Sequence, residues 1–247
     1  MQIKGIEKTS LIDFPGRIAS VVFTGGCPFS CPYCHNPELT ADPDALPTIP
    51  DQAVLEILSG RSGFIDGVCI TGGEPTVQPD LGGFIEQVRR LGLEVKLDTN
   101  GSAPQVLGEL FERGLLDYVA MDVKAPPHRY AEIVRAPVSP AAIRESVDRI
   151  RCSAVPYEFR TTVVPTLLGE QDLLDIAAWL DGSRCWVLQG FRPLRTLDER
   201  LGSIAPYPAA TMYAWRDRLA SRFDECLVRN VEEAQEGAQP MHELGGD

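Results

Sequence analysis

Histidine is nearly absent, with three in 247 residues. The shortage fits a chemistry that needs no side-chain proton carrier. Basic residues are also in deficit: 23 Lys and Arg stand against 35 Asp and Glu, for a net charge of -12. No cluster of Lys and Arg interrupts this balance, so a polyanion such as nucleic acid is not an expected partner. No apolar run is long enough to cross a bilayer, and no membrane role is expected. The N-terminus lacks the charged start and apolar middle of a secretion leader. The expected setting is therefore the reducing cytoplasm, where disulfides do not persist.

Cysteine, in contrast, occurs seven times and unevenly. Three of the seven fall in the stretch 23–37, which reads FTGGCPFSCPYCHNP. Cys27, Cys31 and Cys34 follow the spacing C-x3-C-x2-C. Three thiolates in one short Gly- and Pro-rich loop read as ligands to three irons of a [4Fe-4S] cluster, which ordinarily takes four. The fourth iron then keeps an open position, the place where a metal binds substrate or cofactor. A disulfide disagrees with the compartment. A zinc knuckle lacks its fourth ligand, because His35 follows Cys34 too closely to turn onto the same ion without strain. Core cysteines are common one at a time, not as three in one loop. The other four, Cys69, Cys152, Cys185 and Cys226, lie apart on apolar stretches and are expected to be buried thiols. With the aromatic Tyr33 just before the last ligand, the loop resembles the signature of the radical S-adenosylmethionine (SAM) enzymes.

The rest of the chain alternates short apolar strands with amphipathic helices. Strands are expected at 19–24, 67–71, 94–98, 118–122, 157–164 and 185–189. Helices are expected near 51–59, with Asp51 as cap, and near 80–91, 104–113, 140–151 and 170–180, with a final packing helix at 207–223. Residues 1–15 read as a short strand or hairpin cover, and 225–229 as a short edge strand. Pro37, Pro43, Pro47 and Pro50 forbid a long helix between His35 and Pro50. The length suits one α/β unit. Six βα repeats predict an α/β fold, a partial (β/α)6 TIM-like barrel in a single domain over 1–231. The tail 232–247 is acidic and free of aromatics, and is expected to be disordered.

In parallel α/β barrels the functional residues gather at the carboxyl ends of the strands. Those ends carry the cysteine loop, TGGEP (71–75), DTNG (98–101) and DVK (122–124). A single Gly- or Asn-rich turn is ordinary punctuation. Several in succession behind the cysteine loop mark one mouth. Glu74 and the carbonyls near Gly72 and Gly73 offer acceptors to a methionyl ammonium, and glycine lets the backbone come close. Asp98 is a second acceptor for that ammonium or for a neighbouring cation, and Asn100 is placed for the ribose hydroxyls. Lys124 supplies the positive charge that a methionyl carboxylate requires beside iron. Tyr33 is placed to stack on adenine.

Over nearly its whole length the sequence resembles the glycyl-radical-enzyme activases, most closely the short-form activating proteins of anaerobic ribonucleoside-triphosphate reductase. The resemblance is carried by TSLIDFPG (9–16), GCPFSCPYCHNPEL (26–39), TGGEP, DTNG, MDVKAP (121–126), YEFRTTVVP (157–165) and VLQGFRP (187–193). It implies that Cys27, Cys31 and Cys34 hold the cluster, that Glu74 belongs to the ammonium site and that Lys124 meets the SAM carboxylate. It further implies a monovalent-cation site at Asp98 and Asp122 and a ribose contact from Arg192. The implied partners are a glycyl-radical enzyme as protein substrate and an electron donor such as flavodoxin or ferredoxin. In the implied activity SAM is cleaved reductively, and the 5′-deoxyadenosyl radical takes a hydrogen from a backbone glycine. The pattern departs from that family at three positions: Arg135 and Thr166 stand where it has glycine, and Gly190 where it has a second glutamine. No cysteine-rich insert is present, so one cluster is implied. The alternative is a radical SAM enzyme acting on a small molecule, such as a 7-carboxy-7-deazaguanine synthase-like enzyme. That activity requires a pocket with polar groups for a heterocycle.

Overall fold

The structure, a computed structural model, describes residues 1–231. The expected disordered tail, 232–247, lies outside the described residues. Eight strands form one sheet in sequential order: β1 (Ile3–Ser10), β2 (Ala19–Thr24), β3 (Gly67–Gly72), β4 (Glu94–Thr99), β5 (Tyr118–Asp122), β6 (Tyr157–Val163), β7 (Cys185–Gly190) and β8 (Glu225–Arg229). β1 runs antiparallel to β2, and every pairing from β2 to β8 is parallel. A strand order that never reverses makes each crossover turn the same way, which puts the helices on one face and curls the sheet toward a barrel. This is the α/β architecture the βα rhythm predicts, with β1 and β8 at its two edges.

Between the strands lie α1 (Pro37–Ala41), α2 (Asp51–Ser59), α3 (Leu81–Arg90), α4 (Pro104–Glu112), α5 (Tyr130–Val134), α6 (Pro140–Cys152) and α7 (Glu170–Trp179), with α8 (Ala209–Leu219) before β8. Side chains alternate across a strand, so each strand divides its residues between two faces. Val68 and Ile70, Val95 and Leu97, Val119 and Met121, and Trp186 and Leu188 enter the hydrophobic core. There they meet Leu58 of α2, Phe84 and Val88 of α3, Leu107 of α4 and Val147 of α6. Each such fully buried side chain contributes about 1.5–3 kcal/mol. The residues in between occupy the opposite face, where Cys69 meets Lys96, and Thr71 and Arg160 meet Asp98. One side of the sheet is thus apolar, and the charged residues gather on the other.

Two local features differ from the sequence expectation, and the two residues standing in place of glycine sit at positive φ. Pro50, not Asp51, holds the cap position of α2, and the Asp51 carboxylate pairs with the Met1 ammonium at 2.9 Å. Cys152, at the end of α6, is exposed, unlike Cys69, Cys185 and Cys226. Arg135 and Thr166 have φ of 48° and 73°, the left-handed region that favours glycine. Gly190 has a steric reason of its own: a Cβ there would lie 2.4 Å from the Asn230 carbonyl oxygen.

Candidate active site

The carboxyl ends of β2 to β7 surround a cavity of about 250 Å³. Cys27, Tyr33, Cys31 and Cys34 line it from the loop after β2, Gly72 from the end of β3, and Gly73 and Glu74 from the turn that follows. Asp98, Asn100 and Lys124 complete it from β4 and from the segment after β5. Arg192 is not among the lining residues: it is exposed on the segment after β7, where its carbonyl meets His35, which does line the cavity.

Backbone hydrogen bonds from distant elements pin the cysteine loop. Gly26 N–H donates to Leu39 (2.7 Å), Ser30 N–H to Val134 at the end of α5 (2.9 Å) and Asp198 N–H to Pro32 (2.9 Å). His35 lies on Phe191, with ring centres 6.4 Å apart, and its Nε2 sits 3.1 Å from the Arg192 carbonyl. A carbonyl only accepts, so that nitrogen carries the proton. Burial lowers the pKa of His35.

The three thiols fit a cluster. Cys27 Sγ accepts the Phe29 N–H and the Asn100 side-chain amide, each at 3.5 Å. Hydrogen bonds of this kind tune cluster sulfurs. Burial pushes the Cys27 thiol up to about 12 and also raises Cys31. Neither therefore ionises readily by itself, and metal ligation is what stabilises buried thiolates. Among the described residues no three His, Cys, Asp or Glu side chains converge on one ion. A cubane does not ask for that, because each cysteine binds a different iron.

Glu74 faces this loop from a turn in close contact with it. Gly73 N–H donates to Thr24 and Glu74 N–H to Gly26, each at 2.8 Å. A Cβ on Gly73 would lie 2.1 Å from the Gly26 carbonyl oxygen, so only glycine allows the approach. The Glu74 carboxylate is buried and accepts from Thr76 N–H (3.1 Å), Thr76 hydroxyl (2.5 Å), Thr99 hydroxyl (2.7 Å) and Asn100 N–H (2.6 Å). Burial raises its pKa, against the pull of these donors. All four donors are neutral, so the carboxylate keeps a field that attracts a cation.

Across β4, β5 and β6 runs a ladder of alternating charge. Lys96 Nζ donates to Asp98 Oδ1 (2.5 Å), Arg160 Nη1 to Asp98 Oδ2 (3.1 Å), Arg160 Nε to Asp122 Oδ1 (2.9 Å) and Lys124 Nζ to Asp122 Oδ2 (3.1 Å). Burial disfavours both carboxylates in their charged form, yet Arg160 and Lys124 hold Asp122 at about 2. Arg160 and Lys96 likewise hold Asp98 below the usual carboxylate range. Burial works against the Lys124 charge too, and Asp122 keeps its pKa well above that of an ordinary lysine. Its ammonium lies 5.9 Å from the centre of the Tyr33 ring. Tyr33 is buried, and its hydroxyl has no hydrogen-bond partner among the described residues.

Lys96 and Arg160 were not singled out from the sequence. Lys96 stands two residues before Asp98, the spacing that puts both on one face of a strand. Arg160 sits inside the YEFRTTVVP motif. Asn100, expected to reach a ribose, has its amide turned to Cys27 and its carbonyl accepting Ser102 N–H at 2.9 Å. Asp98 has a cationic partner on each oxygen, Lys96 on one and Arg160 on the other.

Residues 21–180 match the Radical SAM superfamily. The chain belongs to that superfamily. Its membership implies a [4Fe-4S] cluster and SAM. A Methanocaldococcus jannaschii protein assigned as a glycyl-radical enzyme activating enzyme is 33% identical over 238 residues, 93% of this radical SAM chain and 96% of that protein. The pyruvate formate-lyase-activating enzyme of Clostridium pasteurianum is 31% identical over 129 residues, 50% of this chain and 52% of that enzyme. The solved structure of coproporphyrinogen III oxidase from Escherichia coli, described as a radical SAM enzyme, shares the fold with a TM-score of 0.57 at 14% identity, over 85% of this chain and 53% of that one.

Proposed function

We propose that this radical SAM chain is an activase that acts on a backbone glycine of a partner glycyl-radical enzyme, with anaerobic ribonucleoside-triphosphate reductase as the first candidate partner. One observation carries the reading: three thiols, a buried carboxylate held only by neutral donors, and Lys124 line the same cavity. Cys27, Cys31 and Cys34 hold the cluster. Glu74, with the backbone at Gly72 and Gly73, takes the ammonium of SAM, and Lys124 takes its carboxylate. The ring and unpartnered hydroxyl of Tyr33 are left for the adenosyl part. Asn100 acts on the Cys27 sulfur through its amide. The bound cluster and SAM supply one-electron chemistry and the radical that removes the glycine hydrogen.

The match along almost the full length of the M. jannaschii protein supports an activase. The electron comes from a small cytoplasmic donor such as flavodoxin or ferredoxin.

The test is anaerobic incubation of reconstituted protein with dithionite, SAM and candidate partner enzymes. A glycyl-radical doublet in the EPR spectrum of the partner is the expected result. If 5′-deoxyadenosine forms but no candidate gains the doublet, the choice of partner fails. If SAM is not cleaved at all, the activase reading fails with it.

A further inference from the structure

Asp98 and Asp122 have four carboxylate oxygens between them, and each already faces a cationic nitrogen. The group in the middle is Arg160, 3.1 Å from Asp98 and 2.9 Å from Asp122. Three fixed positive charges thus surround two negative ones. A hard cation needs several oxygens that are not otherwise engaged. The Thr71 hydroxyl also turns to Asp98, donating to it at 3.4 Å. An alkali ion added to this locus would raise an excess of one positive charge to two.

We propose that Arg160 is a built-in counter-cation in this chain, standing where a monovalent ion was expected from the resemblance, so that the site assembles and takes SAM without one. A guanidinium suits the task because it stays charged at every working pH and grips two carboxylates with a planar fork. Being covalently attached, it does not depend on the salt composition of the medium. Its side chain is 13% exposed, and register fixes its place: Arg160 pairs across the sheet with Asp122. By holding Asp122 from one side, Arg160 leaves Lys124 to engage that carboxylate from the other and to face the cavity. Arg160 is therefore a positioning residue. The part that concerns SAM rests on the function proposed above; the part that concerns the ion does not.

Two measurements at constant ionic strength separate these parts. The first is the thermal midpoint of the protein in potassium, sodium or choline chloride, for the natural sequence, Arg160→Gln and Arg160→Lys. The natural chain and Arg160→Lys are expected to show the same midpoint in all three salts within error. Arg160→Gln is expected to be destabilised in choline and partly restored by potassium or sodium, since a ligand that binds only the folded state raises its stability. The second measures SAM affinity of the reconstituted protein in the same salts. Less than a twofold variation is expected for the natural chain, and a gain of about tenfold in alkali salt over choline for Arg160→Gln. A natural chain stabilised by potassium or sodium over choline, or binding SAM at least fivefold more tightly there, overturns the proposal. So does an Arg160→Gln variant no more responsive than the natural chain. If that variant does not fold, the natural chain's salt series decides alone. Failure to bind SAM in every salt, with the midpoints as expected, overturns the cofactor reading and leaves the counter-cation in place.

Discussion

The Glu74 carboxylate accepts the backbone N–H of Asn100 at 2.6 Å, which fastens the turn after β3 to the turn after β4. Replacing Glu74 with Gln exchanges one acceptor oxygen for a donor while keeping the shape. At least one of the four groups that now donate to it then faces an NH2. A buried donor left unmade costs about 1–3 kcal/mol. We expect Glu74→Gln to lower the urea midpoint measurably and to weaken SAM binding by about tenfold or more. Unchanged SAM affinity in equilibrium dialysis removes Glu74 from the ammonium site.

Lys124→Gln tests the opposite end of the cavity. Asp122 keeps Arg160 in this variant, so stability is expected to change little. A charge-assisted hydrogen bond is worth about 1.5–3 kcal/mol, which converts to roughly 10- to 100-fold in SAM affinity. Iron content is expected to stay at the natural level. Loss of iron together with affinity implies that Lys124 supports the cysteine loop instead.

Asp122 gives a pH prediction with a defined sign. Its pKa in the folded state is about 2, below the ordinary carboxylate value of 3.8. Stabilisation from such a group is fully present above pH 4 and is lost as pH falls toward 2. Discounted for partial exposure, it amounts to about 1–2 kcal/mol. The stability difference between the natural chain and Asp122→Asn, from urea unfolding, is therefore expected to shrink between pH 5 and pH 3. A difference independent of pH over that range contradicts the ion ladder.

Thr166 is exposed and sits at φ 73°. A β-branched residue in the left-handed region is strained by about 1–2 kcal/mol. Thr166→Gly relieves that strain and returns part of the gain through the freer unfolded chain. A net stabilisation of about 0.5–1 kcal/mol is expected from chemical denaturation. The same exchange at Arg135 is not equivalent, because Arg135 also pairs with Asp198 at 2.9 Å.

Thiol accessibility checks the burial pattern. With Cys27, Cys31 and Cys34 all changed to Ala, one fast-reacting thiol is expected toward a water-soluble maleimide, at Cys152. Cys69, Cys185 and Cys226 are expected to react only on unfolding. A second fast thiol in mass spectrometry contradicts the packing of β3, β7 or β8.

Much of the fold was legible because period-two and period-3.6 patterns are local. The expected strand at 118–122 is β5 to the residue, and the helix boundaries near 104–113 and 170–180 miss by one. α1 escaped because the prolines that forbid a long helix also start this short one, with Pro37 in its first turn, where the missing N–H costs nothing. α5, at five residues, is too short to display a period. The residues lining the cavity were legible because strand-end motifs follow one another in sequence. Their pairings were not. That Arg160 on β6 reaches Asp98 on β4 across β5 depends on register between strands, which no local motif records.

The contact between Gly73 and the Gly26 carbonyl bears on protein engineering. A designer grafting the cysteine loop onto another barrel has to carry the TGGEP turn as well, since any larger residue at position 73 prises the two apart. The transplantable part is the pair.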